Sequence, residues 1–348
     1  MTIYFITNGL HRMAGTERAI VQLSQIYDNV VILVPGRKDI AFDGFNHLNI
    51  KSLEVGDFPE VGKLSKIFHR IKYFFLLKNN FIFSKDDILI SFSFDLNILN
   101  IFLSMMFGIN SIICEHIAYS YHKGLRNRIR KIFYSMKHVK LVCLTETDKL
   151  KFIQDDINTF VIPNFINPVK SIYNSESKSI LAVGRLEYQK NFQFLIKAFE
   201  LSDLHKKGWV LDIVGEGSEY EDIINLINLL NIKEFVKIHK FTKDIGFYYA
   251  NASLLCMTSR FEALPMVLLE GMNYSLPVLV SNFPTGAKEI LGESNSQIVF
   301  EYDENFYAKK LKELCLDKDL RKNYSLQNLQ IIKNYYPENI NKYWLDLI

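Results

Sequence analysis

The stretch Leu254-Leu255-Cys256-Met257-Thr258-Ser259-Arg260-Phe261-Glu262-Ala263-Leu264-Pro265-Met266-Val267-Leu268-Leu269-Glu270-Gly271-Met272 reads as one strand–loop–helix unit. The apolar run at its start suits a short strand, and the residues from 265 onward carry apolar side chains at helical spacing. Pro265 fits the first turn of a helix, where a missing N–H has no partner to lose. Leu264, Met266 and Val267 then mark a helix N-terminus, whose free N–H groups and positive dipole end suit an anion. Glu262 stands just before that end, and Glu270 about one turn further in. The arrangement can hold a molecule with a phosphate in its middle and hydroxyl groups at both ends. By itself the stretch is equally a buried helix with two solvated glutamates.

The alternation extends outward in both directions. Upstream, apolar strand candidates at 3–7, 30–34, 88–92, 111–115, 139–144 and 160–163 alternate with helical patterns at 17–25, 63–78, 97–107, 124–137 and 146–154. The loop Pro163-Asn164-Phe165-Ile166-Asn167-Pro168, with polar residues up to Lys178, reads as a linker. A second series follows, with strands at 180–183, 210–214, 236–238, 254–257, 278–280 and 297–300, and helices at 192–200, 220–230, 265–274 and 308–316. Strand–helix alternation is the pattern of a parallel sheet with crossover helices. The expected fold is α/β: two doubly wound, Rossmann-like halves facing a cleft at their strand C-terminal edges, where such sheets bind ligands. The expected domains are 1–165, 166–331 and a C-terminal helix at 332–348, which carries Tyr343 and Trp344.

The composition supports this reading. A chain of 348 residues, 49% hydrophobic, is long enough for two packed domains and too apolar for disorder. A net charge of +3 gives no whole-molecule argument for nucleic acid. Cys114, Cys143, Cys256 and Cys315 form no C-x-x-C pair, so neither zinc nor a disulfide framework is indicated. The N-terminus reads as a strand without a basic leader, and the longest apolar window, 96–109, is shorter than a bilayer span. A cytoplasmic location is expected.

Several short motifs fall at strand ends. Gly184-Arg185-Leu186-Glu187-Tyr188-Gln189-Lys190-Asn191 follows a strand and opens a helix. Gly184 permits close backbone approach, while Arg185 and Lys190 suit a diphosphate whose charge grows as its bond breaks. They could equally be solvated loop cations. Val214-Gly215-Glu216-Gly217 lacks the third glycine of a dinucleotide fingerprint. In the first half, Ala14-Gly15-Thr16-Glu17-Arg18 links the first strand to the first helix, and Gly15 would let backbone N–H groups face an anion. Met13 and Ala14 exclude a Walker loop. His116 comes directly after a strand, which aims it at the cleft, although a lone histidine is more often structural.

In their order along the chain, these motifs resemble glycosyltransferase family 4, the retaining enzymes of GT-B fold. The resemblance rests on Gly15-Thr16-Glu17-Arg18, Glu115-His116, Leu144-Thr145-Glu146, Ile162-Pro163-Asn164, Val183-Gly184-Arg185-Leu186 with Lys190-Asn191, Val214-Gly215-Glu216-Gly217, and the pair Glu262 and Glu270. It implies a hexosyl- or N-acetylhexosaminyl-transferase with a nucleotide-sugar donor, no metal and no further cofactor. Glu262 is expected on donor-sugar hydroxyls and Glu270 on the ribose. Arg185 and Lys190 are expected on the diphosphate, and His116 beside the transferred sugar. Gly15, Thr16, Gly184, Leu264, Met266 and Val267 complete the expected donor contacts. The final helix is expected to cross back onto the first domain. Ala14, Ala263 and Ser275 stand where the family commonly has glycine, as does Lys240 near the base. The segment Pro284-Thr285-Gly286-Ala287-Lys288-Glu289-Ile290 further resembles bacterial members that build lipopolysaccharide, capsule or O-antigen, which implies a UDP-sugar and a glycan or polyprenyl-diphosphate-linked acceptor.

Two basic stretches lie in the first half. One holds Lys123, Arg126, Arg128, Arg130, Lys131, Lys137 and Lys140 without an acid; the other sets Lys63, Lys66, Arg70, Lys72 and Lys78 beside Leu64, Ile67, Phe68, Ile71, Phe74 and Phe75. Such helices suit either an anionic membrane surface or a diphosphate-linked lipid acceptor, so peripheral attachment to the inner face of the cytoplasmic membrane is expected. The resemblance implies that residues 1–165 bind the acceptor and residues 166–331 the nucleotide sugar. A UDP-sugar epimerase of the same fold, or a non-catalytic GT-B scaffold subunit, are the rival readings. A nucleic-acid binder would leave the five charged or titratable site residues without a purpose.

Overall fold

The computed structural model describes residues 1–11, 15–41, 45, 47–59 and 62–348, with the Lys63 side chain outside that description. Met13 and Ala14 thus lie outside the described residues. The chain divides into two compact units, Met1–Pro163 with Asn341–Ile348, and Asn164–Ile340.

The first unit holds strands β1 (Ile3–Ile6), β2 (Val30–Val34), β3 (Ile50–Ser52), β4 (Ile88–Phe92), β5 (Asn110–Glu115), β6 (Val139–Cys143) and β7 (Thr159–Val161). Its helices are α1 (Gly15–Leu23), α2 (Lys63–Asn80), α3 (Phe94–Phe107), α4 (Gly124–Tyr134) and α5 (Glu146–Ile153). The second unit has β8 (Ser179–Val183), β9 (Val210–Val214), β10 (Val236–His239), β11 (Leu254–Met257), β12 (Val278–Ser281) and β13 (Ile298–Val299). Around them run α6 (Phe192–Leu201), α7 (Tyr220–Leu229), α8 (Ile245–Asn251), α9 (Met266–Asn273), α10 (Gly286–Leu291), α11 (Glu304–Leu316) and α12 (Lys318–Ile332). The last helix, α13 (Pro337–Leu347), leaves the second unit and ends in the first. There Tyr27 Oη donates to the Trp344 carbonyl at 3.0 Å and Lys140 Nζ to the Leu347 carbonyl at 2.8 Å.

Over the described residues both sheets are parallel and share one winding. The orders are β3-β2-β1-β4-β5-β6-β7 and β10-β9-β8-β11-β12-β13. Each sheet winds outward from β1 or β8 and then jumps back to the other side at β4 or β11. Loops leaving the two strands at such a switch point diverge and open a crevice. In the first unit Asn8 and Ser93 follow the switch-point strands, with His116 one strand over. In the second, Gly184 follows β8 and Thr258 to Glu262 follow β11. The core explains the apolar runs. β4 and β11 are buried along their whole length. Tyr73 and Leu77 of α2, with Leu96, Leu99 and Leu103 of α3, pack on Ile6, Leu33 and Leu89.

Besides β3, α8 and α10, which the sequence reading did not single out, three features depart from it. Gly15, expected in a loop, is the first residue of α1. Pro265, expected in the first turn of α9, precedes the helix with φ −74° and ψ 103°. And α12, absent from the expectation, buries Arg321, Ser325 and Asn328, so an apolar periodicity could not reveal it.

The two basic helices differ. On α2, Leu64, Ile67, Phe68, Ile71 and Phe75 are between 48% and 83% exposed and fall on one stripe. On and after α4 much of the basic charge is engaged within the unit: Arg126 pairs with Asp95 at 2.7 Å and Lys131 with Asp155 at 2.5 Å. Arg130 is buried against the Tyr119 ring, and Lys140 serves α13. Lys123, Arg128 and Lys137 of the same stretch remain exposed. No helix among the described residues is long and apolar enough to cross a membrane.

Candidate functional site

The loop after β8 and the loop after β11 meet through one ion pair. Lys190 Nζ lies 2.5 Å from Glu262 Oε1, and the two side chains are only 15% and 11% exposed. Ser259 Oγ donates to the same oxygen at 2.9 Å, and Gln189 Nε2 to Oε2 at 3.2 Å. A carboxylate offers about four lone-pair positions, so Glu262 arrives already oriented by three donors. Lys190 in turn retains two further N–H groups.

Glycines make this possible. Gly184 has φ +153°, and a Cβ there would stand 3.0 Å from Lys190 Cε, so the lysine stem runs across the glycine. Gly215 lies still tighter: its Cβ would come 1.9 Å from the Gly184 carbonyl oxygen. The Val214-Gly215-Glu216-Gly217 motif is thereby explained as packing of the β9 loop beneath the β8 loop. Asn191 caps α6 in the left-handed region at φ 53°, and Arg260 Nη2 donates to its Oδ1 at 2.9 Å.

Behind Glu262, Thr285 Oγ1 donates to the Glu262 carbonyl at 2.6 Å and the Ala263 carbonyl at 3.1 Å. At the start of α9 the first amides that bond back are Leu268 and Leu269, both to the Pro265 carbonyl, which leaves Met266 and Val267 at the helix opening. Leu264 is buried, and Met266 and Val267 are half-buried. One turn on, Tyr249 Oη donates to Glu270 Oε2 at 2.7 Å, with its ring stacked on Tyr274. Arg185 is exposed on the β8 loop, close enough to help hold the Glu187 carboxyl below its ordinary range, after the larger effect of Ser218 hydrogen bonds.

The first unit gathers a second set. Glu115, the last residue of β5, is 1% exposed and accepts from Tyr134 Oη at 2.6 Å; burial raises its carboxyl to about 7. His116 leans on the Phe92 ring, and burial lowers its imidazole to about 4, so it is neutral near pH 7. Thr16, in the first turn of α1, lines the same hollow as His116, while Gly15 is exposed at the helix start.

Thus Gly184, Lys190 and Glu262 are joined in the second unit, with Glu270 on the adjoining helix. Thr16 and His116 are joined in the first. Sequence reasoning missed Gln189, Ser259 and Tyr249, the groups that aim the two glutamates. Gln189 and Ser259 lie inside the quoted motifs, but nothing in their spacing marks them; Tyr249 is distant in sequence and gave no signal.

Residues 165–329 match the family model described as Glycosyl transferases group 1. The chain is 29% identical over 363 residues to the amylovoran biosynthesis glycosyltransferase AmsD of Erwinia amylovora, covering 99% of each chain. It is 27% identical over 359 residues to the GalNAc-alpha-(1->4)-GalNAc-alpha-(1->3)-diNAcBac-PP-undecaprenol alpha-1,4-N-acetyl-D-galactosaminyltransferase of Campylobacter jejuni, covering 100% of this chain and 98% of that relative. Among solved structures, HepE of Anabaena in complex with UDP-glucose superposes with a TM-score of 0.81 at 15% identity, over 100% of this chain and 99% of that one. The architecture, two Rossmann-like parallel-sheet units, is that of GT-B glycosyltransferases.

Proposed function

We propose that this chain is a retaining, metal-independent glycosyltransferase of family 4, which moves a hexosyl or N-acetylhexosaminyl group from a UDP-sugar to a glycan or polyprenyl-diphosphate-linked acceptor in bacterial surface-polysaccharide synthesis. The observation that carries this reading is the oriented Lys190–Glu262 pair at the switch point of the second unit, inside the segment that matches the glycosyltransferase group 1 model. Full-length similarity to AmsD supports the polysaccharide role. The Campylobacter relative, named for a diphospho-undecaprenol-linked glycan, supports the lipid-linked acceptor. HepE, solved with UDP-glucose, supports the donor.

In this reading Lys190 and Arg185 meet the donor diphosphate, and Gly184 and the Met266 and Val267 amides border it. Glu262 meets the donor-sugar hydroxyls, accepting from one of them on its remaining lone pair, and Glu270, steadied by Tyr249, receives the ribose. Retention requires the acceptor hydroxyl to reach the anomeric carbon on the face that the diphosphate leaves. The departing phosphate takes the acceptor proton as the new bond forms and the old one breaks. The protein's contribution is positioning and stabilisation of the leaving group's charge. Neutral His116 lies beside the transferred sugar as a hydrogen-bonding group. The exposed stripe of α2, flanked by Lys66, Lys72 and Lys78, rests on the anionic inner face of the cytoplasmic membrane.

The test is incubation with a panel of UDP- and GDP-sugars and a lipid extract, scoring nucleotide release and product anomer. Loss of a charge-assisted hydrogen bond, worth about 1.5–3 kcal/mol, lowers turnover of Lys190→Ala and Arg185→Ala by about one to two decades each. Wild-type transfer in both variants overturns the site assignment, and an inverted product overturns the mechanism.

A further inference from the structure

Among the described residues, those other than glycine with a positive φ are Glu54, Ser93, Asp156, Asn191, Asp203, Asn231, Ser275 and Thr285. Asn and Asp tolerate that region through their short polar side chains. Thr285 is the member of this set with a branched Cβ, for which such a backbone is a true outlier. Its φ of 73° and ψ of −93° lie near the rare, strained γ-turn. Glycine is the default residue for such a conformation. Strain of this kind persists where the surrounding structure imposes it, and it gathers at functional sites.

Here the strain sits directly behind Glu262. Thr285 is buried, and its hydroxyl is divided between two successive carbonyls, those of Glu262 at 2.6 Å and Ala263 at 3.1 Å. One donor shared in this way fixes the tilt of both rigid peptide planes. Gly286 presses on the same backbone: a Cβ there would come 2.6 Å from the Ala263 carbonyl oxygen and closer still to Pro265 Cδ. At the other end of the loop, Ser281 of β12 donates from Oγ to the Ser259 carbonyl at 3.2 Å. The segment leaving β12 therefore grips the β11 loop by its carbonyls. Lys190 and Gln189 hold the Glu262 carboxylate from the β8 loop. A carboxylate is aimed only as well as the backbone that carries it is fixed. Glycine at 285 would relieve the strain and delete the hydroxyl, so the strained threonine keeps the grip.

We propose that Thr285 is a positioning residue for transfer: its hydroxyl, carried on a strained backbone, locks the Glu262–Ala263 peptides and so presets the Glu262 carboxylate for the donor sugar. It acts through Glu262 and not on the substrate. Two signatures separate this role from ordinary packing. Removing the hydroxyl should impair turnover while leaving the nucleotide's own affinity intact. Removing the Cβ should raise stability, where the same change in an unstrained loop lowers it. The hold on Glu262 is independent of any substrate; its link to sugar transfer rests on the glycosyltransferase reading.

The experiment compares Thr285→Ser, Thr285→Val, Thr285→Ala and Thr285→Gly in the full chain. Serine keeps the hydroxyl and should turn over like the wild type. Valine, of similar size without the hydroxyl, should lose about tenfold to a hundredfold in turnover, with UDP affinity unchanged. Amide hydrogen exchange across residues 259–265 should quicken in the valine variant and not in the serine variant. Alanine and glycine both lack the hydroxyl, and the glycine variant should have the higher urea midpoint of the two. Should valine not fold, the glycine variant repeats the turnover and exchange comparison without the strain. Wild-type turnover without the hydroxyl, or exchange that does not quicken, overturns the positioning role. A loss of UDP affinity that matches the loss of turnover overturns it too, because the damage is then general. An alanine variant as stable as the glycine variant overturns the strain. If the wild type transfers no sugar while exchange and stability behave as stated, the transferase reading fails and the hold of Thr285 on Glu262 stands.

Discussion

Lys190 and Glu262 are placed by atoms that neither residue contributes. The lysine stem can cross the β8 loop because Gly184 has no side chain, and Gly184 sits where it does because Gly215 lets the β9 loop lie against it. Gly215→Ala would drive a methyl group into the Gly184 carbonyl. The clash is backbone against carbon, so the loop itself must move. An overpacking cost of about 1–3 kcal/mol is expected, read as a lowered urea midpoint, with a fall in turnover larger than that of a surface alanine control. Retention of wild-type stability and turnover would contradict the packing account of this motif. The same scale shows what sequence could and could not reveal. Glu262, Lys190 and Glu270 were legible because charge interrupts an otherwise apolar strand–helix pattern. Gln189, Ser259 and Tyr249 were not, since an uncharged donor becomes informative only once its acceptor is placed. Ser275, where the resembled family has glycine, shows φ +64°, so the backbone keeps the conformation that glycine favours.

At the level of elements, α2 has two apolar faces with different fates. Tyr73 and Leu77 are buried in the sheet core, while five large residues on another face are exposed. Periodicity alone reports only that a helix is amphipathic, and it could not divide these positions between core and surface. The same limit hid α12, whose inward face carries an arginine, a serine and an asparagine. The membrane proposal belongs to this scale. Transferring a large apolar side chain from water is worth about 1.5–3 kcal/mol. Phe68→Ser with Ile71→Ser should therefore cut flotation with anionic vesicles by at least about tenfold, and leave circular dichroism and unfolding unchanged because both positions are exposed. Undiminished flotation of the double variant would move the membrane contact elsewhere, and no flotation of the wild type would remove it. Alanine at Leu125 and Ile132 of α4 serves as the control, since much of the positive charge on and after that helix is engaged internally.

For the molecule as a whole, the two sheets repeat one winding order, and strand–helix alternation was sufficient to read it from the chain. Short strands with little apolar content, such as β3 with its sequence Ile-Lys-Ser, escaped that reading. Stability should depend on pH through two desolvated histidines, His116 and His122. Burial holds His116 and His122 near 4 in the folded chain, against about 6.5 when unfolded. The unfolded chain then binds more protons between these values, so their stabilising contribution is present above about pH 6.5 and is lost as pH falls toward 4. Glu115, raised to about 7, acts in the opposite sense: its contribution is lost as pH rises from the unfolded carboxyl range through about 7. Relative to the wild type, His122→Gln should gain stability progressively as pH drops from 6.5 to 4, measured by urea unfolding at stepped pH. Parallel curves for the two proteins would show that His122 is protonated freely in the folded state.

The path of α13 bears on how the protein is made. Residues 341–348 belong to the first unit, whose other residues end at Pro163, while everything between them forms the second. In covalent terms the second unit is an insertion within the first. On the ribosome, where domains fold as units in order of emergence, the second unit is fully synthesised before the first receives its closing piece. Tyr27 and Lys140 wait for the Trp344 and Leu347 carbonyls until the whole second unit has been synthesised. The hollow beside His116 and the exposed stripe of α2 both lie in this late-finishing unit. The unit that carries the surface proposed to meet lipid is thus completed only after the second unit has been synthesised.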